Sequence, residues 1–228
     1  MPAVFLLDKL RTLLPNSIKL ATADIAMWSV RVFPEEELIV ANAVEKRKKE
    51  FRGGRHSARD ALKQLGFSSC SILQGSNREP LFPQLVSGSI SHCDDFCVSA
   101  CALSKDFESV GIDCEKVAII SPEMYSLLFT KNEILSIKQD PLILPILIFS
   151  AKESLFKCFF PLQKEYFDFL DIEITFDQKV GRFSYRQAPQ AKIKTPTYSS
   201  FEGFYVYDNI HALTACYVVN NNSVGGIF

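Results

Sequence analysis

Charge of one sign is missing from this chain. Its 228 residues carry 25 Lys and Arg against 26 Asp and Glu, a formal net charge of -1. No global field pulls the molecule toward nucleic acid or an anionic membrane, so any basic binding site must be local. Long apolar runs are missing too. The most apolar stretch, Leu142 to Phe149, is interrupted by Pro145 and is far too short to span a bilayer. It reads as a buried segment. Val4 to Leu7 are followed at once by Asp8, Lys9 and Arg11, which is not a signal-peptide core. Cysteine pairing is absent as a pattern: seven is an odd number in no regular framework. Reduced thiols in the cytoplasm are expected, not a secreted disulfide scaffold. Cys93, Cys97 and Cys101 recur every fourth residue, unlike the C-x2-C pairs of zinc sites, and read as packed thiols. There is no low-complexity tract, no short repeat and no P-loop.

What is present is apolar and aromatic. Hydrophobic residues make up 47% and Phe occurs 19 times, enough for a folded core rich in aromatic packing. Pro34 followed by Glu35, Glu36 and Glu37 predicts a helix start, with acids at the positive end of the dipole. That helix is expected to run through Ala43 and Arg47 and to weaken or break at Gly53 and Gly54. Ser57 to Leu65 reads as a second helix, closed by Gly66. The period then changes to two. Ser89 to His92, Val98 to Leu103 and Val110 to Cys114 read as strands. A helical stretch follows over Ser121 to Phe160. Strands return at Asp171 to Phe176, Arg182 to Tyr185, Phe204 to Tyr207 and Leu213 to Val219, with a loop over Ala188 to Ser200. Helices then strands, twice over, predict an α+β protein of two similar halves, 1–117 and 118–228, joined near Val117 to Pro122.

The candidate chemistry is acidic. In a strand, Asp113 and Glu115 share one face while Ile112 and Cys114 share the other. Two adjacent carboxylates repel and suit a hard cation such as magnesium. Taken alone, the pair reads more readily as a solvated acidic strand end, because D-x-E is a common pattern. Glu153 and Lys157, four apart on a helix, are either a surface ion pair or a base beside a fixed cation. Gly88, Ser89, Ser91 and His92 concentrate small polar groups at a strand end. Lys46, Arg47, Lys48, Lys49, Arg52, Arg55 and Arg59 make the one dense positive segment, a solvated helix face or a grip for a small polyanion. Phe51 is the one Phe, Tyr or Trp within that segment, too few interleaved aromatics to favour nucleic acid.

Taken in order, several segments resemble one family. They are Glu50-Phe51, Gly54-Arg55, Ala58-Arg59 and Ala61-Leu62, then Arg78-Glu79-Pro80-Leu81-Phe82-Pro83 and Gly88-Ser89-Ile90-Ser91-His92-Cys93. Val110-Gly111-Ile112-Asp113-Cys114-Glu115 and Phe149 to Lys157 complete the series. Over roughly residues 40 to 165 the chain is similar to the Sfp-type 4'-phosphopantetheinyl transferases, and within them to the enterobactin-synthase component D group. The resemblance implies two pseudo-symmetric α/β halves with coenzyme A in the cleft between them. It implies magnesium held by Asp113, Glu115 and Glu153, with Glu153 also taking the proton of a carrier-protein serine. Lys157 would neutralise the reacting phosphates. Arg47, Arg55, Arg78, Ser91, His92 and Lys152 are the implied coenzyme A contacts, His92 counting also among the catalytic groups. The implied partner is an apo acyl, peptidyl or aryl carrier protein, favouring siderophore or other nonribosomal peptide synthesis, and the implied state is a cytoplasmic monomer. Carrier docking is expected near Met124 to Phe129. A non-catalytic binding module and a magnesium phosphohydrolase are the competing functions. Gln74, where relatives carry lysine, Cys114, and Phe82, where tryptophan is frequent, depart from the family pattern.

Overall fold

A computed structural model describes residues 2–194 and 196–221. The chain opens with helix α1 (Pro2–Leu13), which the sequence reading did not assign, and the short strand β1 (Lys19–Ala21). Helices α2 (Pro34–Ile39) and α3 (Glu45–Gln64) follow, then β2 (Leu73–Gln74), β3 (Pro80–Leu81), β4 (Val86–Cys93), β5 (Phe96–Leu103) and β6 (Phe107–Lys116). The second half holds α4 (Tyr125–Leu128), α5 (Lys131–Ile137) and α6 (Ile143–Gln163). It ends with β7 (Ile172–Asp177), β8 (Arg182–Gln187), β9 (Phe201–Tyr207) and β10 (His211–Val219). The protein is α+β. No helix among the described residues is long and apolar enough to cross a membrane.

The expected helix from Pro34 through Arg47 is two helices. Glu36 on α2 bonds Arg59 near the end of α3, at 2.8 and 2.9 Å, and Glu37 bonds Arg52 at 2.7 Å. In one straight helix Glu36 and Arg59 would lie roughly 35 Å apart at 1.5 Å per residue. The turn between Val40 and Ala43 folds α2 back so that these pairs can form. Nor do Gly53 and Gly54 break α3. A Cβ on Gly53 would meet the Trp28 ring at 2.6 Å, and one on Gly54 would meet Ile90 at 2.8 Å. The glycines let helix, indole and strand approach closely. Gly66 does end the helical segment as expected, with φ +87°.

Strand order is β1-β5-β4 in one sheet and β6-β10-β9-β8-β7 in a larger one, and β2 pairs with β3 separately, all neighbours antiparallel. Although β6 precedes the expected join at Val117 to Pro122, it hydrogen-bonds to β10 of the following half. The larger sheet is buried on both faces, as the alternation along β10 shows. Leu213, Ala215 and Tyr217 pack with α1 and β5, while Ala212, Cys216 and Val218 pack with α6. The phenylalanines gather under α6, where the Phe159 ring lies 4.9 Å from Tyr198 and 5.2 Å from Tyr185. Pro145 and Ile146 to Ile148 are buried.

Glu36 is fully buried and also accepts from the Ile72 and Phe33 backbone N–H groups at 2.7 and 3.0 Å. One carboxylate thus fixes α2, α3 and the chain leading to β2. Removing one partner of a buried ion pair costs about 3–5 kcal/mol. Glu36→Gln should therefore lower the unfolding free energy by about 3 kcal/mol in urea titrations, while loss of the exposed Arg11–Asp8 pair through Asp8→Asn should change it little.

Candidate active site

The site is built where α6 lies against β6. Gly111 is the contact point: a Cβ there would collide with the Ser154 carbonyl oxygen and the Cys158 backbone. Two residues along, Asp113 points to the same side. Ile112 and Cys114, on the other side, are fully buried in the core shared with α1. The close approach brings Lys157 of α6 onto Asp113. Its Nζ donates to Asp113 Oδ1 at 2.5 Å and to Ser91 Oγ at 3.1 Å, and lies 3.9 Å from Glu153. Ser91 Oγ in turn donates to Asp113 Oδ1 at 2.8 Å.

Asp113 is 2% exposed, yet its Oδ2 is buried without a hydrogen-bond partner. Burial, then the neighbouring Asp113 charge, pushes Glu115 up to about 8. Burial also raises Glu153 above the usual carboxylate range, with Lys157 opposing and Asp113 reinforcing the shift. Burial disfavours the Lys157 ammonium, but Asp113 and Glu153 outweigh it and hold its pKa above the ordinary value. Three carboxylates thus face one ammonium. The orphaned oxygen and the reluctance of Glu115 to ionise fit a hard divalent cation. The carboxylates are not drawn into a tight cage. Among the described residues, the trio of metal-type side chains gathered within 4.8 Å lies elsewhere, at Cys93, Asp95 and His211. Magnesium, which keeps waters and takes substrate oxygens, does not require a protein cage.

Beside the carboxylates is a cleft lined by Arg78, Pro80, Ser89, Ile90, Glu153, Phe156, Lys157 and Phe160. It adjoins a basic hollow, lined by Arg47, Glu50, Phe51, Arg55, Gln74 and His92, through the shared Arg78, Pro80 and Ile90. Arg78 occupies a turn at φ 67°. His92 Nε2 lies 2.7 Å from Arg47 Nη1. Arginine can only donate, so Nε2 accepts and the ring proton sits on Nδ1, 3.8 Å from Glu50. Burial, with Arg47 and Lys157 adding, lowers the His92 pKa and keeps the ring neutral. Arg55 is 6% exposed and stacks over Phe51 at 4.3 Å; its Nε makes no hydrogen bond but lies 3.9 Å from the buried Glu36 carboxylate. Burial lowers its pKa to about 10.

Lys152 is not at the site. It is fully buried on the opposite side of α6, bonded to Glu133 at 2.6 Å and to the Leu128 and Phe169 carbonyls at 3.0 and 2.7 Å. The expected phosphate contact is an internal clamp between α6 and α5. Arg59 is likewise withdrawn, held by Glu36. Ser91 is buried, with its hydroxyl committed to Asp113 and Lys157, so it orients the carboxylate rather than reaching a ligand. Sequence reasoning gave no role to Glu50, which lies between Arg47 and His92, or to Phe156 and Phe160, which wall the cleft. Glu50 was part of a matching motif, and the charges around it were its only signal.

A raised carboxylate pKa has a defined linkage sign. Below 4.5 Glu115 is protonated folded or unfolded. Between 4.5 and about 8 the unfolded chain loses the proton while the folded chain keeps it, so stability falls as pH rises. In chelator, Tm should drop by roughly 5–10 °C across that window. Glu115→Gln should flatten the slope, and an unchanged slope would contradict the assignment.

Residues 35–102 match the family described as the 4'-phosphopantetheinyl transferase N-terminal domain, and residues 109–216 match the 4'-phosphopantetheinyl transferase superfamily. The chain is 34% identical over 174 residues to the 4'-phosphopantetheinyl transferase Npt of Nocardia iowensis, covering 75% of this chain and 78% of that protein. It is 34% identical to PptT of Mycobacterium tuberculosis, over 66% of this chain and 69% of that one. Enterobactin synthase component D of Salmonella typhi is 32% identical, over 52% of this chain and half of its own length. The chain belongs to the 4'-phosphopantetheinyl transferase superfamily.

Proposed function

We propose that the protein transfers the 4'-phosphopantetheine arm of coenzyme A to a serine of an apo carrier protein. The observation that carries this reading is the trio Asp113, Glu115 and Glu153, with one orphaned carboxylate oxygen, whose member Glu153 lines a cleft continuous with a basic hollow. In this reading Asp113, Glu115 and Glu153 hold a magnesium ion, which when bound supplies charge neutralisation at the pyrophosphate.

The chain's own residues do the rest. Arg47, Arg55, Arg78 and neutral His92 hold the adenosine phosphates in the hollow. Phe156 and Phe160 give the cleft an apolar wall for the pantetheine arm. The serine Oγ attacks the β-phosphorus, its proton passes to a Glu153 carboxylate oxygen, and the bond to the leaving adenosine 3',5'-bisphosphate breaks. Lys157 lies where it can stabilise negative charge on the transferring phosphoryl group. Raised by burial, Glu153 is a better proton acceptor than an exposed glutamate.

Peptidyl or aryl carriers of siderophore assembly are the favoured acceptors, on the strength of the likeness to enterobactin synthase component D. Met124 and Leu127, both exposed, are assigned to carrier docking, whereas Phe129 is buried and drops out. The site is complete within one chain and the seven cysteines are unpaired, which supports a monomer working in the reducing cytoplasm.

The test is a mixture of protein, coenzyme A, magnesium and several apo carriers, read by the carrier's mass. One phosphopantetheine should be gained. Glu153→Gln should lower kcat by about 100-fold or more while coenzyme A still binds. Folded wild-type protein that modifies no carrier would overturn the reading.

A further inference from the structure

Cys93, Asp95 and His211 form a second cluster that the proposed transfer chemistry does not use. Cys93 ends β4, Asp95 lies in the turn to β5, and His211 begins β10. One ligand-type atom from each lies within 4.8 Å of the other two. Asp95 Oδ1 is 3.0 Å from His211 Nε2. The imidazole is 3% exposed and its Nδ1 is buried without a hydrogen-bond partner. Cys93 is half-buried and Asp95 is exposed, so the cluster opens to solvent on one side.

The donors are one sulfur, one imidazole nitrogen and one carboxylate oxygen. That mixture is wrong for magnesium or calcium, which take oxygen, and right for zinc. We propose that Cys93, Asp95 and His211 form a zinc site, with water in the fourth position.

The charges around the cluster support this. The Cys114 thiol beside Cys93, opposed by burial and aided by His211, lowers the Cys93 pKa to about 6. Cys93, opposed by burial and aided by Asp95, raises His211 to about 9. With one thiolate and one carboxylate among its ligands, Zn2+ makes the coordinated cluster neutral. The spacing of Cys93, Cys97 and Cys101 gave no hint of such a site, because the histidine comes from 116 residues beyond Asp95. Cys97 and Cys101 are buried thiols whose pKa values burial pushes up, consistent with simple packing.

The full chain, stripped with chelator, is titrated with Zn2+ against a chromogenic zinc chelator in excess Mg2+. One zinc per chain is expected. Cys93→Ser should weaken it by about tenfold or more, the loss seen even for partners outside the coordination shell. Zinc, but not magnesium, should also protect Cys93 of the wild-type chain from iodoacetamide, mapped by peptide mass. Because that second arm uses no variant, misfolding cannot obscure it. No zinc retained, zinc retained equally by Cys93→Ser, or Cys93 alkylated at the same rate with and without zinc would each overturn the proposal. Equal retention by the variant would place the ion at the Asp113 carboxylates instead.

Discussion

The bond between Lys157 and Asp113 is the constraint on which the rest of the site depends. It joins α6 to β6 across the interface where Gly111 lets helix and strand meet. Other contacts hold α6 on the neighbouring strand β10. Ser150 and Thr214 bond each other at 2.9 Å, and Cys216 Sγ bonds the Ser154 carbonyl at 3.3 Å. Burying such a pair carries a desolvation cost that its mutual attraction only partly offsets, so it contributes little to net stability. What it does is fix position. With Lys157 pinned, Glu153 one turn earlier on α6 faces the same cleft, and Ser91 is drawn in from β4. Strands and helix from both halves therefore converge on one carboxylate oxygen, and the second oxygen is left buried without a hydrogen-bond partner.

The crowding of carboxylates shows in the electrostatics. Burial, reinforced by the Asp113 charge, makes Glu115 and Glu153 reluctant to ionise although Lys157 opposes the shift. The hollow next door gathers Arg47, Arg55 and Arg78, with Glu50 3.5 Å from Arg47 and the buried Glu36 3.9 Å from Arg55. A cluster of carboxylates and a cationic hollow close together match a ligand that brings both a divalent cation and several phosphate groups. A chain with net charge near zero thus carries two strongly charged, adjoining sites.

Much of this was legible in the sequence because it depends on local period. Strand alternation placed Asp113 and Glu115 on one side and Ile112 and Cys114 in the core. The i,i+4 spacing placed Glu153 and Lys157 together. Lys152 was expected among the coenzyme A contacts, but it lies about 100° around the helix from Glu153 and faces inward to Glu133. Contacts set by tertiary approach were not legible. Gly53 and Gly54 look like breakers, but they are the small residues that let Trp28 and Ile90 pack on α3. Glu36 looks like a helix-start acid, but it is the buried anchor of Arg59 and Ile72. His211 and Asp95 are far apart in sequence, and no periodicity relates them.

The central claim is that the carboxylates of β6 and α6 make one hard-cation site for a phosphate-bearing ligand. Paramagnetic resonance with Mn2+ as the stand-in ion addresses it most directly. One Mn2+ should bind per chain, tighten when coenzyme A is added, be displaced by Mg2+, and be lost in a folded Asp113→Asn variant. Mn2+ binding that ignores coenzyme A, or that survives Asp113→Asn unchanged, would contradict the account.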